Sequence, residues 1–233
     1  MKINQFTSKE EATASAGESL HNLLMANTKK PVLLLLSAGS ALNLLDYVSK
    51  QGTGENLSIA MLDERFSNDP KINNFAQFQK TDFYTFALEM ETNFFGSLPR
   101  KEETKEMLAE RLEKNVRNWK TQNPEGLIIA TLGMGADGHT AGIFPNANEN
   151  EFNELFNRDS WFVAYFTDKH EYKDRVTSTI PLLKQVDKAI GFVCGQDKKE
   201  KFEKLTKKQG KIYQFPAFVW HDFQDIQIFT DIN

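Results

Sequence analysis

The chain is 233 residues long, 40% hydrophobic and 26% charged, a composition that can bury a full core and excludes a disordered or low-complexity chain. Its 28 basic and 32 acidic residues leave a formal charge of -4, so it has no general attraction for nucleic acid or an anionic membrane, and an anionic ligand needs a local positive site. A single cysteine, Cys194, excludes an intramolecular disulfide and a cysteine-based metal cluster; lying inside an apolar run, it reads as a small core residue.

In chain order, the amino terminus MKINQFTSKEE lacks the apolar segment of a secretory signal, and the leucine-rich run at 32–36 is far too short to span a bilayer. The cytoplasm is the expected location, with neither membrane nor nucleic acid as a partner. Ser8 and Glu11 have capping-box spacing, and Ala16, Leu20, Leu23 and Leu24 share one helical face, which predicts a helix over 9–26. Val32 to Leu36 is a short continuous apolar run between Pro31 and the small residues Ser37 to Ser40, the pattern of a strand buried on both faces. Similar runs at 57–62, 127–132 and 189–194 are further strands, ending at Asp63, at a glycine cluster and at Gly195. Leu108, Leu112, Val116 and Trp119 mark a helix in a charged stretch, and 161–166 reads as another core strand; the phenylalanine-rich segment 80–100 fits either a helix or a loop.

Helices alternating with apolar strands predict a three-layer α/β/α fold around a mainly parallel, Rossmann-like sheet. With no linker or repeat, one domain is expected over 1–233. Ligands of such sheets bind beyond the carboxyl ends of the strands, which here carry Ser37 to Ser40, Asp63 to Arg65, Gly133 to Thr140, and Gly195 to Lys198.

The segment LGMGADGHTAGIFP at 132–145 is the most informative. Its glycine turn lets backbone N–H groups, Gly135 among them, approach an anion or a developing oxyanion, and it delivers Asp137 and His139 to a strand end. Imidazole titrates near pH 6.5 and is suited to accept a proton from water and return it to a leaving alkoxide. By itself, a glycine turn with one histidine is more often a turn beside a hydrogen-bonded imidazole than a catalytic site.

The whole segment resembles the signature shared by 6-phosphogluconolactonases and glucosamine-6-phosphate deaminases, a strand ending in a glycine turn and then Asp-Gly-His. Asp63-Glu64-Arg65 resembles the family's Asp-Glu-Arg, with Asn74 at the place of a following asparagine; Arg175-Val176-Thr177 resembles Arg-Ile-Thr, and Gly195-Gln196-Asp197-Lys198 resembles Gly-x-x-Lys. The four matches run in family order over roughly Leu33 to Lys198. Deaminases carry a glutamate five residues after the histidine, where lactonases have an apolar residue; Phe144 here points to the lactonase branch. The family's first loop, Ser-Gly-Gly-Ser-Thr-Pro, is altered to Ser37-Ala38-Gly39-Ser40-Ala41-Leu42, which removes one hydroxyl donor to phosphate.

The resemblance implies hydrolysis of 6-phosphogluconolactone in the oxidative pentose phosphate pathway, a small sugar phosphate as partner, and neither metal nor organic cofactor. It implies His139, Asp63 and Asp137 as catalytic residues, and Ser37, Gly39, Ser40, Arg65, Asn74, Gly135, Arg175 and Lys198 as the substrate site. By residue type alone, Arg175 and Lys198 are solvated surface charges, Asp63 caps a turn, and Arg65 pairs with a carboxylate. His21, His170 and His221 match no motif and no metal-ligand spacing, and are expected to have no site role. The alternatives are an amino-sugar-phosphate deaminase, disfavoured by Phe144, and a non-catalytic sugar-phosphate sensor, suggested by the altered first loop. A nucleotide-binding dehydrogenase lacks the glycine spacing of a dinucleotide fingerprint.

Overall fold

The computed structural model describes residues 1–168 and 170–233. Among them, seven strands form one sheet in the order β1-β10-β9-β6-β2-β3-β5, every neighbouring pair parallel. The strands are β1 (Lys2–Gln5), β2 (Val32–Leu36), β3 (Leu57–Met61), β5 (Asn93–Phe95), β6 (Leu127–Gly133), β9 (Lys188–Phe192) and β10 (Asp225–Thr230). The inner strands β2, β3 and β6 are almost wholly buried, which is why they read as unbroken apolar runs.

Alternation along these strands divides the core in two. Leu34, Leu36, Ile59, Met61 and Ile129 pack on one face with Ala12, Ala16, Leu20 and Leu24 of helix α1 (Lys9–Met25). Leu33, Leu35, Ala60, Ile128 and Ala130 face the other way, toward Leu108, Leu112, Val116 and Trp119 of α4 (Lys105–Gln122). The result is the three-layer arrangement expected from the sequence. The start of α1 departs from a standard capping box: Ser8 Oγ accepts from Glu11 N at 3.1 Å, but the Glu11 carboxylate accepts from Thr7 N and Oγ1, one residue before the cap.

The ambiguous segment contains α3 (Asp82–Glu89) and edge strand β5, preceded by the short α2 (Asn74–Phe78). The chain after β2 enters a 3-10 helix, Gly39–Tyr47, rather than a full α-helix. A second sheet had no counterpart in the sequence reading. β4 (Asp63–Arg65), β8 (Asp174–Ser178) and β7 (Phe162–Phe166) pair antiparallel in the order β4-β8-β7, so the aromatic strand at 161–166 belongs to this sheet and not to the parallel one. It is joined to the main sheet where β3 ends: Leu62 N donates to Leu36 O at 2.8 Å and Ser178 N donates to Leu62 O at 2.7 Å. Helix α5 (Glu149–Phe156) buries Phe152 and Phe156 beside β7, the short α6 (Ile180–Leu183) follows β8, and α7 (Lys199–Lys207) follows β9. No helix among the described residues is long and apolar enough to cross a membrane.

Candidate active site

The small antiparallel sheet stands over the carboxyl ends of β2, β3 and β6, and a cavity of ≈300 Å³ lies between them. It is lined by Ser37, Gly39 and Ser40 from the loop after β2, Asp63 and Arg65 from β4, Asn74 from α2, Gly135 and His139 from the glycine turn, Arg175 from β8, and Lys198 beyond β9. Ten of the eleven residues singled out in the sequence thus meet around one space, and the eleventh, Asp137, touches His139. A larger cavity, ≈410 Å³, opens at the opposite ends of the strands beside Glu55, Glu89 and Glu91. It contains no histidine or arginine among its lining residues, and the chemistry gathers in the smaller one.

The glycine turn is folded back on itself. Gly135 N donates to His139 O at 2.9 Å and Gly138 N donates to Gly135 O at 3.0 Å. His139 Nδ1 lies 2.6 Å from Asp137 Oδ1, which also accepts from His139 N at 3.0 Å. Burial works against a charge on Asp137, but the hydrogen bond and charge of His139 outweigh it and hold the carboxyl at about 2. An ionised carboxylate can only accept, so Nδ1 of His139 carries a proton and Nε2 of the neutral ring carries the lone pair.

The chain leaving the turn is pinned by side chains from the second sheet and from the carboxyl-terminal region. Thr140 Oγ1 donates to Gly133 O at 2.9 Å and accepts from Trp220 Nε1 at 3.1 Å. Ala141 and Gly142 both have left-handed backbone, φ +49° and +70°. Their carbonyls accept from Thr177 Oγ1 and, at 2.6 Å, from Tyr165 Oη, contacts that hold a conformation costing a non-glycine residue about 1–2 kcal/mol. A Cβ at Gly142 would lie 2.7 Å from Cβ of Asp63, so only glycine lets the turn pass this close to β4.

Strand alternation sends Asp63 and Arg65 to the cavity and Glu64 away from it. Asn74 Nδ2 donates to Asp63 O at 2.9 Å and Oδ2 at 3.3 Å; desolvation at the cavity wall nonetheless raises the Asp63 pKa, against the opposing charges of Arg175, His139 and Arg65. The buried Glu64 carboxyl is ringed by donors, Arg65 N at 2.8 Å, Asn74 N at 2.5 Å, Phe75 N at 3.0 Å and Ser97 Oγ at 2.6 Å. Burial still pushes its pKa up to about 7. It holds the start of α2, and so Asn74, against Asp63.

Arg65 and Arg175 are direct cross-strand partners, and like charges opposite one another are unfavourable unless an anion joins them. The Arg65 guanidinium lies 4.7 Å over the Tyr172 ring and that of Arg175 4.8 Å over Phe144. Ser37 Oγ, Arg65 Nε and Asn74 Oδ1 are buried without a protein hydrogen-bond partner. Ala41 and Leu42, where the first loop departs from the family pattern, are turned into the protein, 2% and 8% exposed. The loop therefore offers two hydroxyls, Ser37 and Ser40.

Phe144 packs against His139 with ring centroids 4.7 Å apart, so an aromatic ring stands where a carboxylate relay to the imidazole would have to be. His170, to which the sequence reading gave no role, also lines the cavity and stacks on Phe144. Its only local signal is a place five residues before Arg175 on the same hairpin. His221 instead bonds Leu205 O at 2.7 Å, and Cys194 is buried with its thiol pushed up to about 11 by desolvation, a core residue and not a nucleophile.

Comparisons with known proteins agree with one another. The family model described as glucosamine-6-phosphate isomerases/6-phosphogluconolactonase matches residues 7–227. A probable 6-phosphogluconolactonase of Dictyostelium discoideum is 31% identical over 91 residues, 38% of this chain and 36% of that protein. A probable 6-phosphogluconolactonase of Arabidopsis thaliana is 35% identical over 71 residues, 30% of this chain and 24% of that one. The matched stretches thus span about a third or less of these relatives' own length. In structure, a 6-phosphogluconolactonase from Shewanella baltica superposes with a TM-score of 0.77 at 18% identity, covering 99% of this chain and 97% of that one. The enzyme from Plasmodium vivax gives 0.76 at 15%, covering 99% and 90%; at such identities the likeness speaks for the fold.

Proposed function

We propose, from the premise that the chain belongs to the glucosamine-6-phosphate isomerase/6-phosphogluconolactonase family, that it hydrolyses 6-phosphogluconolactone to 6-phosphogluconate in the oxidative pentose phosphate pathway. The observation that carries this reading is His139, paired with Asp137, facing the same cavity as Arg65, Arg175 and Lys198. A proton-transfer group and a cationic wall are what a phosphorylated lactone requires.

A lactone is an activated ester, so its opening needs no metal or organic cofactor. Water attacks the carbonyl carbon while Nε2 of His139 takes its proton, and the imidazolium is stabilised by the Asp137 carboxylate. The electron pair of the carbonyl moves to its oxygen, where N–H groups of the glycine turn other than those of Gly135, Gly138 and His139, which are bonded within the turn, are suited to receive the negative charge. Collapse of this intermediate breaks the bond to the ring oxygen, which leaves with the proton held by His139. The products are a carboxylic acid, ionised at neutral pH, and a free hydroxyl. Arg65, Arg175, Lys198, Ser37 and Ser40 hold the phosphate and Gly39 shapes the first loop, while Asp63, steadied by Asn74, is the second group able to activate water.

Phe144 disfavours the deaminase alternative, because phenylalanine can neither accept from His139 nor carry charge. The test is the disappearance of freshly generated 6-phosphogluconolactone with purified protein. A rate equal to the spontaneous one sinks the proposal, and ammonia released from glucosamine-6-phosphate transfers it to the deaminase branch.

A further inference from the structure

The connection between β7 and β8 carries a histidine that the proposed chemistry does not use. Its base is closed by Thr167 N donating to Lys173 O at 2.9 Å, and it is tied down by the cavity's own arginines. Arg65 lies over the ring of Tyr172, and Arg175 Nε donates to Tyr172 O at 3.0 Å. His170, two residues earlier, stacks on Phe144 with centroids 3.7 Å apart and planes 29° from parallel. The placement of His170 over the cavity is therefore built from several independent contacts.

Phe144 is the hub of this arrangement. The imidazoles of His139 and His170 and the guanidinium of Arg175 all pack on its ring, and the two imidazole centroids are 6.2 Å apart. A stacked imidazole uses its face and keeps both nitrogens at its edge, so stacking is compatible with donation to a ligand. Protonated imidazole in stacked contact is also stabilised by the ring's quadrupole. On the hub, His139 is paired with Asp137 for proton transfer, whereas His170 lies on the hairpin of Arg175 and lines the same cavity.

We propose that His170, in its protonated form, is a further ligand of the substrate's phosphate together with Arg175. The assignment rests on the reading of the cavity as a sugar-phosphate site, but not on lactone turnover. Charged and titratable groups around it are Asp63 and Arg65 on β4, Asp137 and His139 on the glycine turn, Arg175 on β8, Lys198 beyond β9, and Asp168, Glu171 and Lys173 on its own hairpin.

The test measures the dissociation constants of 6-phosphogluconate and of gluconate by calorimetry at pH 6 and pH 8.5, for the unaltered protein, His170→Phe and His170→Gln. Phenylalanine keeps the stack on Phe144 and removes the charge; glutamine keeps a donor without charge. His170→Phe is expected to weaken 6-phosphogluconate binding roughly 10-fold at pH 6 and little at pH 8.5, with gluconate unaffected, and His170→Gln to fall between. Ionisation of the phosphate and of His139 is common to all three proteins and cancels in their ratios. An affinity ratio near one at pH 6 overturns the proposal, as does an equal loss for gluconate or a loss independent of pH. If the unaltered protein binds neither compound, the sugar-phosphate reading itself falls and takes this one with it. If it binds 6-phosphogluconate without opening the lactone, only the catalytic reading fails.

Discussion

The imidazole of His139 rests directly on the backbone of Gly135: a Cβ there would lie 2.1 Å from both Cε1 and Nδ1 of the ring. Gly135 has no left-handed φ, so alanine is compatible with its backbone and its effect would come from the ring it displaces. Gly135→Ala is expected to lower kcat about 10²-fold or more, the scale of losing a positioned acid-base group, while melting within a few degrees of the unaltered protein. Unchanged kcat would show that His139 need not sit against Asp137.

Replacing His139 by alanine should lower kcat about 10²- to 10⁴-fold and leave substrate binding nearly intact, since the proton transfer proposed for its imidazole belongs mainly to the transition state. Lys198→Ala should instead raise KM, because a contact to phosphate exists in ground and transition states alike. Steady-state kinetics with both variants separates chemistry from binding; full kcat in folded His139→Ala would move water activation to Asp63.

The parallel sheet was legible because β2, β3, β6 and β9 are hidden on both faces and so spell continuous apolar runs. The second sheet was not. β4 is three residues long, and its pairing with β8 depends on partners far along the chain, such as Asp63 with Thr177. Edge strands β1, KINQ, and β5, NFF, carry too little hydrophobic pattern to be recognised. In the site, the residues read from the sequence were those with family counterparts. His170 was missed because its meaning comes from Phe144, a residue on another element, and Glu64 because its role is to hold backbone rather than to face the cavity.

Glu64 leads to a pH-dependent stability. Below about pH 4.5 it is protonated folded or unfolded and contributes no slope; between 4.5 and about 7 only the unfolded chain ionises, so stability falls as pH rises. The shift corresponds to a loss on the order of 3 kcal/mol, complete above the folded-state pKa. Denaturant melts of the unaltered protein and Glu64→Gln should therefore show the variant gaining relative stability from pH 5 to pH 8. A constant difference would mean that the carboxylate is ionised in the folded protein throughout.

The facing arginines, Arg65 and Arg175, predict a response to ligand. A bound dianion relieves their repulsion, so 6-phosphogluconate should raise the melting temperature, by the equivalent of about 2.7 kcal/mol at a hundred times its dissociation constant. At the same ligand concentration Arg65→Met should show a smaller rise, and its melting without ligand should be little changed or higher. An equal rise in both proteins would remove Arg65 from the phosphate site.

The pairing of β1 with β10 bears on how the molecule assembles. Lys2 lies opposite Gln227 and Gln5 opposite Thr230, so β1 has no hydrogen-bonding partner until all the intervening elements and β10 have been made. Such long-range closure is slow, because loop entropy is lost before the contacts are gained. Until it occurs, the outer edge of β10 is an open template for another strand, and the growing protein is exposed to intermolecular pairing there. Lys2, at the start of β1, places a charge on the edge that finally faces solvent, a common means by which sheets discourage such addition.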